Sequence, residues 1–253
     1  MRLTRVHVEA PLAPDSRLMV AGAAANHIRR VLRLAPGDPL TLFDGRGGEY
    51  DARIEGLGKD TVIVAVGSRH PIERESPLAI TLAQGVSRGE RMDLVVQKAT
   101  ELGVRRIVPV LTERTVVRLG AQPSDPKVRH WRAIAVAACE QCGRNAVPEI
   151  ASPVSLETFL SGKLLSRGET TAAEDSGATR VVLSPESTLR VRDVPPVSSL
   201  IMLVGPEGGL AHAELEAAQA AGYLAVRLGP RILRTETAAL AALAAIQERL
   251  GDL

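Results

Sequence analysis

Two short stretches of this 253-residue chain bring together residue types that bind a small ligand and act on it. The first is Gly205-Pro206-Glu207-Gly208-Gly209, directly after the apolar run Leu200–Val204. Glycines there let the backbone approach a ligand closely and leave peptide N–H groups free for an adenosine, a ribose or a phosphate. The second is Leu228-Gly229-Pro230-Arg231-Ile232-Leu233-Arg234-Thr235-Glu236-Thr237. In it Gly229 permits backbone contact with a flat ligand, and Ile232 and Leu233 supply an apolar bed for a purine ring. Arg234 is a cation that calls for an acidic partner or an anionic, oxygen-rich ligand. Glu236 falls in the first turn of the helix that follows, where an acid suits the helix dipole whether or not it has a second role. Neither stretch is a common nucleotide motif, since no strand is followed by GxGxxG or GxxxxGK[ST].

Both stretches belong to an α/β pattern that begins at Leu78. The expected strands are Leu78–Ala83, Arg106–Leu111, Val147–Ile150, Arg180–Leu183, Leu200–Val204 and Tyr223–Arg227. Between them lie helical patterns at Arg91–Leu102, Val128–Cys142, Ser155–Leu165, Ala213–Ala221 and Glu236–Leu250. The last of these has Thr235 as its N-cap and Leu240, Leu243, Gln247 and Leu250 on its apolar face. Short apolar strands separated by helices bury both faces of a mainly parallel sheet. In such a sheet the ligand site lies beyond the C-terminal strand ends, where both glycine stretches fall.

The first 72 residues read differently, as a small β-rich unit, a barrel. Its strands are Arg5–Glu9, Pro39–Phe43, Glu49–Ile54 and Thr61–Val66, joined by glycine-bearing turns. One helical segment, Ala23–Leu34, places Ile28, Val31 and Leu32 on a buried face and leaves Arg29, Arg30 and Arg33 outside, a plausible grip for RNA phosphates. The stretch His70–Pro77, with two prolines and mixed charges, marks a boundary between domains at 1–72 and 73–253.

Composition narrows the classes. Apolar residues are 45% and charged residues 24% of the chain, with two Phe, two Tyr and one Trp, so Leu, Val, Ile and Ala must build the core. A formal net charge of +2 does not announce a nucleic-acid partner. Its distribution says more, because Arg105 to Arg144 holds eight Lys/Arg against three acids, Arg118 and Asp125 among them. No apolar run is long enough to span a membrane and no N-terminal leader pattern is present, so the chain is expected to be soluble and cytoplasmic. Cys139 and Cys142 lack a second pair to complete a zinc site, and no metal is expected. The segment Gly168–Gly177 reads as an exposed loop without chemistry.

Motifs from both ends of the chain, in one order, make a larger pattern. They are His27-Ile28-Arg29-Arg30-Val31-Leu32-Arg33; Arg91-Met92-Asp93 with Gln97-Lys98-Ala99-Thr100-Glu101-Leu102-Gly103; Pro109 with Thr112-Glu113-Arg114; and Trp131 with Glu140-Gln141 and Arg144. Leu203 to Gly209 and Leu228 to Ala238 complete it. In these motifs the chain closely resembles the ribosomal RNA small-subunit methyltransferase E family of the SPOUT class, which modifies uridine at N3 in 16S rRNA. The resemblance implies a PUA-like barrel followed by an α/β domain with a deep trefoil knot, and a homodimer. Helical segments that are apolar on more than one side, Ala133–Ala138 and Ala238–Ile246, agree with a dimer.

The resemblance further implies S-adenosylmethionine as cofactor, held against Leu183, Leu203, Val204, Gly205, Glu207, Gly208, Gly209, Leu228, Gly229, Ile232, Leu233 and Thr237. The substrate it implies is 16S rRNA within the 30S subunit or a late precursor. RNA contacts fall on His27, Arg29, Arg30, Arg33, Arg88, Arg91, Arg114 and Arg144, with Arg88 standing where relatives often have lysine. For chemistry, Arg234 is the expected cation beside the deprotonated uracil and Glu207 a weaker candidate for proton acceptor. Two other classes compete. An RNA-binding module without catalysis leaves the two glycine loops unexplained, and a nicotinamide-dependent oxidoreductase lacks the glycine-rich first turn.

Overall fold

A computed structural model describes residues 4–115, 126–162 and 177–253. Arg118, Asp125, the C-terminal end of the helix expected over Ser155–Leu165 and nearly all of the Gly168–Gly177 segment lie outside the described residues. The chain forms two compact units.

The first unit is Met1–Glu75 together with Val136–Val147, so a segment distant in sequence joins the expected N-terminal domain. Its sheet comprises β1 (Arg5–His7), β2 (Ser16–Ala21), β3 (Pro39–Phe43), β4 (Glu49–Leu57) and β5 (Thr61–His70). They run in the order β1-β3-β4-β5-β2, antiparallel except for the β1/β3 pair. Alternation supplies the core. Val62, Val64 and Val66 of β5 meet Leu40, Leu42, Ile54 and Ile28, all buried, while intervening residues such as Ile63 and Arg53 face outward. Strand β2 was not expected from sequence, because only Val20 is buried along this edge strand and its alternation is weak.

The helical segment also differs from its periodic reading. A short α-helix, α1 (Gly22–Asn26), gives way to a wider π turn at His27–Val31, in which Leu32 N–H donates to His27 O. The changed phase keeps Ile28 in the core but turns Val31 outward, at 67% exposure. Arg33 then ends the segment with a left-handed φ of 55°.

Polar groups tie Val136–Val147 into this unit. Arg5 pairs with Glu49 and donates from Nη2 to Asn145 Oδ1 at 2.6 Å, and His7 N–H donates to Glu140 Oε1 at 3.0 Å. Arg144 is 4% exposed and donates from Nε and Nη2 to Glu75 Oε2 at 2.9 and 2.5 Å. It is therefore a buried structural cation and not the RNA contact expected from sequence. Burial pushes the neighbouring Cys139 thiol up to about 12, against the pull of Arg144.

The second unit, Ser76–Ala135 with Pro148–Leu253, is an all-parallel sheet in the order β12-β10-β11-β6-β7-β8, with β9 also paired to β7. Its strands are β6 (Ala79–Gly85), β7 (Arg106–Leu111), β8 (Glu149–Ile150), β9 (Val154–Ser155), β10 (Thr179–Leu183), β11 (Ser199–Val204) and β12 (Leu224–Val226). Its helices are α2 (Glu90–Glu101), α3 (Pro126–Cys142, whose last turns count with the first unit), α4 (Leu156–Leu160), α5 (His212–Ala220) and α6 (Thr235–Leu250). Ala83, Val108, Ile201 and Leu203 bury one sheet face with Phe159 and Ala218. The alternate residues Ile80, Leu82, Leu200 and Met202 are fully buried as well. Both faces are covered, as a parallel sheet requires.

Helices α2 and α6 pack together, and Val95 and Ala99 of the one and Ala239, Leu243 and Ile246 of the other are fully buried. Buried Gln247 fixes their ends, donating to Leu102 O at 2.8 Å and accepting from Ser76 Oγ at 2.8 Å. Several family-type motif residues prove to be braces of this kind. Asp93 accepts from Trp131 Nε1 at 3.1 Å and lies 2.9 Å from His130 Nε2.

Candidate functional site

The neighbouring strands β12, β10 and β11 end at Val226, Leu183 and Val204, and the loops beyond these ends enclose a cavity of about 510 Å³. Its wall consists of Leu183–Glu186, Val204–His212, Val226–Gly229, Arg231–Leu233, Thr235 and Ala238, with Arg114 and Leu215. Of the positions assigned to a cofactor, Leu183, Val204, Gly205, Glu207, Gly208, Gly209, Leu228, Gly229, Ile232 and Leu233 line it. Leu203 and Thr237 do not. Leu203 is buried in the sheet core one residue too early, and Thr237 is exposed on α6. Arg234 is also outside the lining, exposed at the N-terminus of α6, so in this chain the cation expected to act at the reacting atoms is not in the cavity wall.

The 205–209 loop folds tightly because Gly205 has no side chain: a Cβ there would lie 2.9 Å from Leu210 N and 3.0 Å from Gly209 C. Its form is secured from below by a buried hydroxyl. Thr235 Oγ1 donates to Gly205 O at 2.6 Å and accepts from Gln84 Nε2 at 2.9 Å. One side chain thus joins the end of β6, the glycine loop and the start of α6. Thr235 is the first residue of α6 and makes no cap bond, which replaces the N-cap role expected for it; Arg234 occupies the cap position without a side-chain bond. The available sign was Gln84, a polar residue closing an otherwise apolar strand. In the other loop Gly229 takes a φ of 63°, which favours glycine.

Two carboxylates cross-link these loops to their neighbours. Glu207 Oε1 accepts from Arg88 N–H and from Arg91 Nη1, both at 2.8 Å. Partial burial works against its charge, but the Arg88 amide, its own amide and the Arg91 guanidinium outweigh it and hold the carboxyl below its usual value. A carboxylate so stabilised is a weaker base than a free one, and its two bonds make Glu207 a brace of the loop. Arg91 lies 3.9 Å from Glu236 as well. Glu214, which sequence reasoning passed over, accepts from Glu113 N–H at 2.7 Å and Ala211 N–H at 2.8 Å. It locks the segment after β7 against the start of α5. Arg114, expected to touch RNA, donates to Gly208 O at 2.6 Å and lines the cavity.

In the first unit, Arg30 and Arg33 are exposed, whereas Arg29 donates to Lys59 O. His27 is half-buried with Nε2 3.8 Å from Glu140 Oε2. Burial raises the Glu140 carboxyl, opposed by the His7 amide, His27 and Arg5. Among the described residues no cluster of three metal-ligating side chains is present.

The cavity suits a nucleoside. It has backbone donors where side chains are missing, apolar walls at Leu183, Val204 and Leu228, and at its edge Ile232, an isoleucine 85% exposed. Known proteins place this architecture. Residues 74–247 match the model of the RNA methyltransferase domain and residues 20–67 that of the RNA methyltransferase PUA domain. The ribosomal RNA small subunit methyltransferase E of Buchnera aphidicola is 30% identical over 100% of this chain and 98% of its own. The Bacillus subtilis protein of that name is 34% identical over 97% and 94%. The chain belongs to this RNA methyltransferase family. A Neisseria gonorrhoeae member, crystallised with S-adenosyl methionine, superposes at a TM-score of 0.87 with 35% identity and full coverage of both chains. The PUA match falls within the first unit, and the RNA methyltransferase match spans nearly all of the second unit together with the Val136–Val147 segment of the first.

Proposed function

We propose that this chain transfers a methyl group from S-adenosylmethionine to N3 of a uridine in 16S rRNA of the small ribosomal subunit. It would act as a homodimer in the cytoplasm, its methyltransferase unit threaded into the knot that the SPOUT resemblance implies. The observation that carries the reading is the cavity at three adjacent parallel strand ends, walled by Val204–Gly209 and Leu228–Leu233. Support for the dimer lies in apolar residues left partly open, such as Leu240 and Ala244 on α6 and Ala133 and Ala137 on α3.

Bound S-adenosylmethionine supplies an already activated methyl, so the protein must orient the base and deal with the uracil N3 proton. Proton loss spreads negative charge over N3 and the flanking carbonyl oxygens, and a fixed cation there stabilises the anion more than the neutral base. Arg114 is engaged with Gly208 O and Arg234 lies outside the lining. Arg231 lines the cavity, is exposed, and makes no hydrogen bond or ion pair among the described residues. The role first given to Arg234 therefore passes to Arg231.

The function is tested by incubating the protein with S-adenosylmethionine and unmodified 30S subunits and analysing the digested rRNA by mass spectrometry; 3-methyluridine at one position is the expected product. Methylation at another atom, or none, refutes the reading. For the cation, Arg231→Ala should slow single-turnover transfer by roughly a hundredfold, with part of the rate recovered as pH rises, while Arg234→Ala stays within a few-fold. The reverse ranking would return the role to Arg234.

A further inference from the structure

We infer that Arg227 is the carboxylate-binding residue of the cavity, taking the α-carboxylate of the cofactor's methionine moiety and so separating S-adenosylmethionine from adenosine derivatives that lack it. The inference rests on the cofactor reading above and names the group that part of the site recognises.

Arg227 follows β12 and lines the cavity. Its main chain is fixed on both sides: its N–H donates to Leu189 O at 2.9 Å, and its O accepts from Val191 N–H at 3.1 Å. The side chain is the exception. It is half-buried, its Nε is shielded from solvent without a hydrogen-bond partner, and among the described residues it makes no ion pair. A guanidinium always carries its charge, and withdrawing even one of its donors from water without an acceptor is unfavourable, while the terminal nitrogens stay open to a ligand. The other cations of the wall do not share this condition. Arg114 donates to Gly208 O, Arg231 is exposed to water, and His212 Nε2 lies 3.3 Å from Glu216. Glu186 lines the same cavity but forms no ion pair with Arg227.

What is missing is an anion with oxygens that fit a planar fork of N–H donors. The adenine and ribose of the cofactor carry no negative charge, and the sulfonium is positive. Its carboxylate is the one anionic group it has. An apolar bed for the purine and a half-buried guanidinium without an ion-pair partner among the described residues, both in the same cavity, match the two ends of that molecule.

The test is calorimetric binding of three ligands to the full-length protein: S-adenosylmethionine, S-adenosylhomocysteine, and 5′-methylthioadenosine, which keeps the adenosine and sulfur but has no amino-acid group. Arg227→Gln should weaken the first two by about tenfold or more and leave 5′-methylthioadenosine within twofold. Arg227→Lys should recover part of the loss. Retained 5′-methylthioadenosine binding also shows that the variant is folded. Equal loss for all three ligands would reduce Arg227 to a structural residue, and no loss for any would remove the assignment. A fall in rRNA affinity with unchanged S-adenosylmethionine binding would assign the guanidinium to a phosphate and overturn the inference. If the wild-type protein binds none of the three, the cofactor reading itself fails and the inference falls with it.

Discussion

The arginines of the first unit and those around the cavity of the second carry one charge under opposite constraints. Arg5 and Arg144 are buried, and each is held by a carboxylate, Glu49 and Glu75. Arg74 reaches the same Glu49, whose charge is opposed by burial but favoured by both arginines, leaving its carboxyl lower than usual. Around the cavity the ion pairs are sparser. Among the described residues Arg231 and Arg234 are exposed without side-chain partners and Arg227 is half-buried without one. Buried and compensated cations hold a fold together; uncompensated ones at a cavity are available to a ligand. Net charge along the sequence does not distinguish the two, and this is why Arg144, inside a basic stretch, was expected on RNA.

The largest effect that would test this contrast is on Arg144. Removing one partner of a buried pair strands the other, so Arg144→Ala should cost about 3–5 kcal/mol of stability in urea unfolding, with Glu75→Ala similar. Cofactor affinity, measured on the protein that remains folded, should not change. A loss below about 1 kcal/mol would mean the guanidinium is free to leave Glu75, and its RNA assignment would return.

How much was legible follows the range of the interaction. The two glycine loops were found because their signal is local, a strand running straight into residues that lack Cβ atoms or carry charge beside apolar side chains. Twelve cofactor positions were assigned, and the two that fall outside the cavity wall, Leu203 and Thr237, differ in phase: Leu203 is one residue too early on its strand, and Thr237 is exposed on α6 between the lining residues Thr235 and Ala238. Val31 failed because a π turn shifts the helical phase in a way that a 3.6-residue period does not anticipate. The Thr235 hydroxyl and the Glu214 brace were out of reach for another reason. Their partners, Gly205 and Gln84 for one and Glu113 for the other, are 30 to 151 residues away in sequence. Val136–Val147 joined the first unit by the same kind of distant contact, through Arg5 and Glu75.

A smaller effect sharpens the contrast from the acidic side. If Glu207 braces the loop, Glu207→Gln keeps an oxygen for the Arg88 amide and loses only a partly exposed ion pair with Arg91, worth at most about 1 kcal/mol. Cofactor affinity should then change by less than about fivefold and single-turnover methyl transfer should persist. The pH dependence has a definite sign. A carboxyl lowered in the folded state contributes stability above its unfolded value, and that contribution disappears as pH falls through the lowered one. The brace is thus intact through neutral pH. A hundredfold loss of transfer in the Gln variant would reinstate Glu207 as the base.

The smallest effect concerns the first unit's own free cations, which the contrast predicts are few. Arg29 is engaged with Lys59 O, and His27 lies beside Glu140, so Arg30 and Arg33 are the members of that segment left exposed without a partner among the described residues. Phosphate contacts release counterions, and each one lost should flatten the dependence of log affinity on log salt by somewhat less than one unit. Arg30→Ala with Arg33→Ala should therefore lower that slope by about one to two units and weaken binding of rRNA fragments without regard to sequence, while the calorimetric affinity for S-adenosylmethionine stays fixed. Arg29→Ala gives the internal control. It should alter the slope less and instead loosen the Lys59 turn, visible as faster amide exchange there. Should Arg29→Ala flatten the salt dependence as much as the double substitution, its bond to Lys59 O is exchangeable for RNA, and the line drawn here between engaged and available arginines does not hold in the first unit.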